Sequence, residues 1–436
     1  MKRLLVRFSA ATLVATALSF LSFLFIVPTK AAEPPLVEHA GGAYLYNIEN
    51  DAVLYTYNED AKVYPASTVK LMTGILAVEA LGGDPSRKIT VTSEMLYKVV
   101  GNNIGLVVGE EVTVNDMLHA LLVNGANDAA QVIAVTVGGS VEKFVSMMNE
   151  KAQLLGAYNT YYTNPTGMHD DRMVTTVSDT AAIAKYAYGL PGFTEITSLT
   201  KYVMDETNKK DYRNLFNRNS QLSKFYDTRY YYPDAVGMNA GYTVQSGYCL
   251  VSVASRDNLS YLAIVMNAES TDEDIYSYAN VENMLDWAFD SYGYTEVLGV
   301  SQRVCEMSVS LSSTVDYVTL VPAESIVRYL PRDLDPNEFN LSYNTFDESL
   351  VAPVEAGQIC GTVTVTYNGE ILGTTDLIAT VSVTRSEFLF FLSKITAFTS
   401  GRFFRALIVF LILFSGAYVL IQAHRREEKM RRRNFF

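Results

Sequence analysis

The chain has 436 residues, 49% of them hydrophobic, which suits roughly two or three folded domains and excludes a disordered protein. A formal net charge of -13 argues against nucleic acid as a partner. Three cysteines are too few for a zinc cluster or a dense disulfide frame.

The N-terminus reads as an export signal over residues 1–31. Lys2, Arg3 and Arg7 precede an apolar run from Phe8 to Val27, and Thr29 and Ala31 give a small-x-small cleavage pattern. The alternative is an uncleaved anchor; either way the body leaves the cytoplasm. Residues 43–57 form two β-rich runs around Glu49, Asn50 and Asp51, a hairpin signal. Pro65 and Ala66 lead into a helix expected over 67–80 and closed by Gly82 and Gly83. Its apolar residues point in every direction, as in a buried helix. Thr113 and Asp116 make a capping-box pattern before a helix broken at Asn124-Gly125, and another starts near Asp128. Helical patterns continue over 141–155 and 178–188, strand-like runs over 236–242, 249–254 and 261–266, and a helix over 281–292. Strands, then helices, then strands indicate an α+β fold.

From 300 to 384 helical periodicity disappears, and short strands, with Asn368-Gly369 as a tight turn, predict a small all-β domain. Residues 386–402 are apolar and aromatic and suit a membrane interface. The run 404–423 is long enough to span a bilayer core as a helix. The tail 424–436 holds Arg425, Arg426, Lys429, Arg431, Arg432 and Arg433, which predicts that it is cytoplasmic and the body extracytoplasmic.

The chemistry concentrates on the buried helix. Ser67 lies at its first turn and Lys70 three residues later, on the same face. A lysine in apolar surroundings has a lowered pKa, and a neutral lysine can take the proton of a nearby hydroxyl. Taken alone, S-x-x-K more often means a capping serine and a lysine reaching for the surface. Other chemistries are weaker. His39, His119, His169 and His424 show no metal-ligand spacing, and no phosphate-binding or dinucleotide fingerprint occurs. Cys249 reads as a core residue, whereas Cys305 and Cys360 could pair.

The surroundings of Ser67 are more specific. YPASTVKLMTGILAVEAL resembles the active-site helix of the low-molecular-mass penicillin-binding proteins, the D-alanyl-D-alanine carboxypeptidases. The resemblance continues in order through GNNIGLVVGEEVTVNDMLHALLVNGANDAA, NPTGMHDD, VGMNAGYTVQSGYCLVSVASRDNLSYLAIVMNA and VAPVEAGQICGTVTVTYNGEILGTTDL, from about Ala40 to Thr384. It implies a transpeptidase/β-lactamase-like domain over 38–295, an antiparallel sheet flanked by helices with a helical subdomain, followed by the β domain and the membrane helix.

Of the family's three motifs, the first is intact as Ser67-Thr68-Val69-Lys70. The second, usually S-x-N, reads Gly125-Ala126-Asn127. The third, usually K-T-G, reads Asn239-Ala240-Gly241. The resemblance implies Ser67, Lys70 and Asn127 as catalytic residues. It implies an oxyanion hole from the backbone N–H groups of Ser67 and Tyr242, and substrate contacts at Gly125, Asn239, Ala240 and Gly241. The expected reaction removes the terminal D-Ala of peptidoglycan pentapeptide stems, with β-lactams as inhibitors and no metal or organic cofactor. The missing hydroxyls and cation also admit a pseudoenzyme that binds or regulates the cell wall. Arg213, Arg218 and Arg229, upstream of the third motif, are candidate replacements for its lysine.

Overall fold

The computed structural model describes residues 33–433. The export signal expected over 1–31 and the last three residues of the basic tail lie outside the described residues. Among the described residues two compact units form, one built mainly from residues 33–293 and the other from 294–328 and 335–433.

The first unit is organised by a five-stranded antiparallel sheet. Its strands are β1 (Ala40–Asn47), β2 (Ala52–Tyr57), β3 (Ala235–Thr243), β4 (Gly247–Arg256) and β5 (Leu259–Ala268), in the spatial order β2-β1-β5-β4-β3. Successive side chains of a strand point to opposite faces, and both faces here are covered. Tyr44, Tyr46, Leu262, Ile264 and Met266 face one core; Ala43, Leu45, Tyr261, Ala263 and Val265 face the other. This two-sided burial explains why β4 and β5 read as near-continuous apolar runs. The hairpin turn forms where expected: Asn47 Oδ1 accepts from Asn50 N at 2.9 Å, and Asp51 takes φ +48.

One core is roofed by helices α1 (Val69–Leu81), α2 (Val114–Leu122), α3 (Asn127–Gly138), α4 (Val141–Leu154) and α5 (Val177–Tyr188). Helix α6 (Tyr276–Ser291) covers the opposite face with Val281, Met284, Leu285 and Ala288. The α2 capping box is present: Thr113 Oγ1 accepts from Asp116 N at 3.0 Å, and Asp116 Oδ2 accepts from Thr113 N at 3.1 Å. One expectation needs correction. The helix predicted from residue 67 begins at Val69, because Ala66–Thr68 form a tighter 3-10 turn. Pro65 O accepts from both Thr68 N, at 3.2 Å, and Thr68 Oγ1, at 2.6 Å, which closes that turn.

The second unit carries a six-stranded sheet of β6 (Cys305–Ser310), β7 (Tyr317–Pro322), β8 (Phe339–Thr345), β9 (Leu350–Val351), β10 (Ile359–Tyr367) and β11 (Glu370–Ala379), in the order β8-β10-β11-β7-β6-β9. Asn368 at φ +48 and Gly369 at φ +85 make the turn between β10 and β11, a geometry with both central residues left-handed. β11 ends at Ala379. Two helices complete the described chain: α7 (Glu387–Ser400), capped by Ser386, and α8 (Arg402–Arg433). The stretch Arg402–Met430 of α8 is long and apolar enough to cross a membrane.

Candidate active site

Lys70 is completely enclosed in the helical core, 1% exposed, yet it has no carboxylate partner among the described residues. Its Nζ lies 3.1 Å from Ser67 Oγ and donates to Thr166 O at 2.6 Å. Burial is the main cause that pushes its pKa down, to about 7, and the positive charge of Arg218 adds to it. Near neutral pH a large fraction of Lys70 is therefore uncharged, with a lone pair available to the Ser67 hydroxyl. A serine and a lysine so placed can carry out covalent catalysis without histidine.

The turn 164–167 fixes this pair. Asn164 Oδ1 accepts from Thr166 N, Thr166 Oγ1 and Gly167 N at 2.8–3.1 Å, so one side chain organises the whole turn. The turn presents Pro165 O to Thr73 Oγ1 at 2.7 Å and Thr166 O to Lys70. Gly167, at φ +81, lies so close to Ala66 that a Cβ would come within 1.9 Å of Ala66 O. Ala66 itself takes φ +48, an uncommon conformation for a residue with a Cβ. Strain of this kind beside a reactive serine is a familiar property of functional sites. The Asn-Pro-Thr-Gly cluster is a recognisable turn signal; its service to Lys70 is not, because the acceptor is a backbone carbonyl.

Ser67 opens onto a cleft of about 460 Å³, and the structure gathers the other expected site residues around it: Gly125, Asn127, Asn239, Ala240, Gly241 and Tyr242. Gly125, at φ +71, ends the α2 side of the link to α3. Asn127 is 4% exposed; its Nδ2 donates to Val100 O at 2.7 Å, and its Oδ1 is an acceptor without a partner among the described residues. β3 is the edge strand of the sheet and forms the opposite wall. Gly241 lets its backbone approach Ser67: a Cβ there would fall 2.6 Å from Ser67 N. Tyr242, half exposed, packs against Tyr248 with ring centroids 4.4 Å apart.

The three candidate arginines separate clearly. Arg213 is paired with the buried Glu110 at 2.6 Å. Arg229 grips Asp227 at 2.7 Å and Glu273 O at 2.6 Å. Arg218 alone of the three lines the cleft. Two of the histidines have partners of their own: His119 Nδ1 lies 2.7 Å from Asn115 O under a stacked Tyr202, and His169 pairs with Asp171. Cys249 is buried, as expected, and Cys305 and Cys360 are free thiols.

Known proteins resemble this chain in sequence and fold. The sequence model of the D-alanyl-D-alanine carboxypeptidase family matches residues 28–270, and that of the penicillin-binding protein 5 C-terminal domain matches 297–385. The chain is 32% identical over 363 residues to D-alanyl-D-alanine carboxypeptidase DacF of Bacillus subtilis, covering 82% of this chain and 90% of that protein. It is 26% identical to D-alanyl-D-alanine carboxypeptidase DacC of Escherichia coli, over 84% of this chain and 91% of that one. The crystal structure of penicillin-binding protein 5 from Haemophilus influenzae superposes with a TM-score of 0.57 at 25% identity, covering 81% of this chain and all of that one. A transpeptidase-like α+β domain is followed by a β domain of the penicillin-binding protein 5 type, and the chain belongs to the D-alanyl-D-alanine carboxypeptidase family of serine peptidases.

Proposed function

We propose that this protein removes the terminal D-Ala from peptidoglycan stem peptides through a covalent intermediate on Ser67. The observation that carries the reading is the buried, carboxylate-free Lys70 with its Nζ 3.1 Å from Ser67 Oγ at the cleft wall. Neutral Lys70 takes the Ser67 proton, and Oγ attacks the carbonyl carbon of the penultimate D-Ala. The backbone N–H groups of Ser67 and Tyr242 receive the oxyanion; such donors do not depend on side-chain identity. The C–N bond then breaks, and the proton held by Lys70 passes to the departing amine of D-Ala. Water, deprotonated by Lys70, attacks the ester carbonyl; the bond to Ser67 Oγ breaks, Lys70 returns the proton to that oxygen, and the shortened peptide leaves.

The peptide lies along Asn239, Ala240 and Gly241 on the β3 edge, with Gly125 and Asn127 facing it. The unmet Asn127 Oδ1 accepts one of its N–H groups. A β-lactam would occupy the same cleft and acylate the same hydroxyl. Helix α8 anchors the enzyme, with its basic end in the cytoplasm and the catalytic domain outside. A fluorescent penicillin tests the assignment: it should label the protein covalently, and Ser67→Ala should abolish the label. Undiminished labelling of Ser67→Ala would remove Ser67 from the mechanism.

A further inference from the structure

We propose that Asp128 is a positioning residue that sets the direction of the Asn127 amide through the strap 100–106; the inference rests on the carboxypeptidase reading above. Asp128 follows Asn127 in the first turn of α3 and is 2% exposed. No lysine, arginine or histidine pairs with it among the described residues. A buried carboxylate is costly unless hydrogen bonds satisfy it. Here backbone donors do so. Oδ2 accepts from Leu106 N and from Ile104 N, both at 3.1 Å. Oδ1 accepts from Ala129 N at 2.9 Å and from Ile104 N at 3.2 Å. Ile104 and Leu106 belong to the strap, so the carboxylate ties this distant stretch of chain to the start of α3.

Apolar burial does little to hold the strap. It forms no helix or strand, Val100 to Asn103 are exposed, and of its seven residues only Leu106 is buried. A segment of this kind opens readily unless hydrogen bonds fix it. Its other ties run to the same link between α2 and α3. Asn102 Nδ2 donates to Asn124 O at 2.6 Å, and Asn102 O accepts from Asn127 N at 2.7 Å. Held there, the strap presents Val100 O to Asn127 Nδ2 at 2.7 Å. An amide turned over about its last bond exchanges its donor for its acceptor. Val100 O allows only one of the two settings: the NH2 meets the strap, and Oδ1, without a partner among the described residues, is left for the peptide in the cleft. Gly101 completes the fit. It takes φ +81, and a Cβ there would come within 2.8 Å of Asn127 Nδ2. One chain of contacts thus runs from Asp128 through the strap backbone to the Asn127 amide.

A double-mutant cycle on the full-length protein in detergent separates positioning from mere support. Two rates are read: kcat/KM for D-Ala release from diacetyl-L-Lys-D-Ala-D-Ala, and acylation by a fluorescent penicillin. A thermal melt checks the folding of each variant. Asp128→Asn keeps the side-chain shape but turns one acceptor into a donor facing the N–H groups of the strap. It should lower both rates about tenfold, the effect of one lost hydrogen bond. Asn127→Ala should lower them by a similar factor, and adding Asp128→Asn to it should cost nothing further, because no amide remains to be positioned. Gly101→Ala tests the same chain of contacts from the strap side, and stands in if Asp128→Asn does not fold. Its loss should likewise vanish in the Asn127→Ala background. Losses that multiply in the double variants, or an unchanged rate in folded Asp128→Asn, would overturn the proposal. A closed cycle on acylation with no D-Ala release by the native protein would refute the catalytic reading and leave the positioning role standing. No acylation of the native protein would overturn both.

Discussion

The proposed mechanism turns on Lys70, and its protonation gives the most direct handle on it. The proposed base is the neutral form, and burial, reinforced by Arg218, lowers the pKa to about 7. Activity should therefore rise with pH through about 7 and level off above it, because raising the pH removes the proton that blocks the lone pair. The kcat/KM profile of a D-Ala-D-Ala peptide measures this, and Arg218→Gln, which removes the second cause, should move the rising limb to higher pH. A limb in the ordinary lysine range would mean that Lys70 is not the base. Arg213 and Arg229 test the assignment of the arginines. Breaking the buried Arg213–Glu110 pair with Arg213→Met should destabilise the protein by about 3–5 kcal/mol, because Glu110 is left buried without its cation, with only the hydrogen bonds from Thr207 Oγ1 and Val107 N. Arg229→Met, at an exposed pair, should change stability by about 1 kcal/mol or less. Thermal melts of the two variants separate these outcomes. At this scale Ser67 and Lys70 were legible in the sequence because three residues of helical spacing put them together. The choice of Arg218 over Arg213 and Arg229 was not, because only tertiary contacts distinguish three arginines on one stretch of chain. Thr166 O was invisible for a related reason: it reaches Lys70 from 96 positions away through a backbone atom that every residue has.

Elements hold these residues in place, and the glycines show how closely. Gly167→Ala would force a Cβ to within 1.9 Å of Ala66 O, so the Ser67 turn has to move. A displacement of about 1 Å at a reacting group lowers rates on the order of a hundredfold. Gly167→Ala should therefore acylate with penicillin about a hundredfold more slowly while stopped-flow labelling still reaches completion; an unchanged rate would show that the turn does not position Ser67. Gly125→Ser differs. There is space for its Cβ, but φ +71 makes any side chain there cost about 1–2 kcal/mol. A serine at 125 thus carries a backbone penalty that is invisible in the sequence. The elements themselves were read best where burial is periodic: α1, α2, the β1–β2 hairpin and β3 to β5 all stand within a few residues of expectation. The ribbon Lys201–Met204 with Arg213–Phe216 was missed. So was β8, where Phe339 and Thr345 are half-buried and the residues between them exposed. An edge strand without a buried face has no alternating pattern to read.

For the whole molecule, the proposed orientation rests on α8 and the basic residues at its C-terminal end. Protease added to intact protoplasts should digest the catalytic domain and spare a tag placed at the C-terminus; loss of the tag without lysis would reverse the topology. The order of parts, an α+β domain, a β domain and an apolar helix, was legible because composition changes sharply at each junction. The central claim is that this cleft turns over its peptide despite Asn239 and Ala240 in the third motif. The most direct measurement is release of D-Ala from diacetyl-L-Lys-D-Ala-D-Ala by the full-length protein in detergent, at a pH above 7, beside its Ser67→Ala variant. The account predicts steady release by the native protein and none by the variant. No release from native protein that is folded and binds the peptide, or equal release by both, would contradict it.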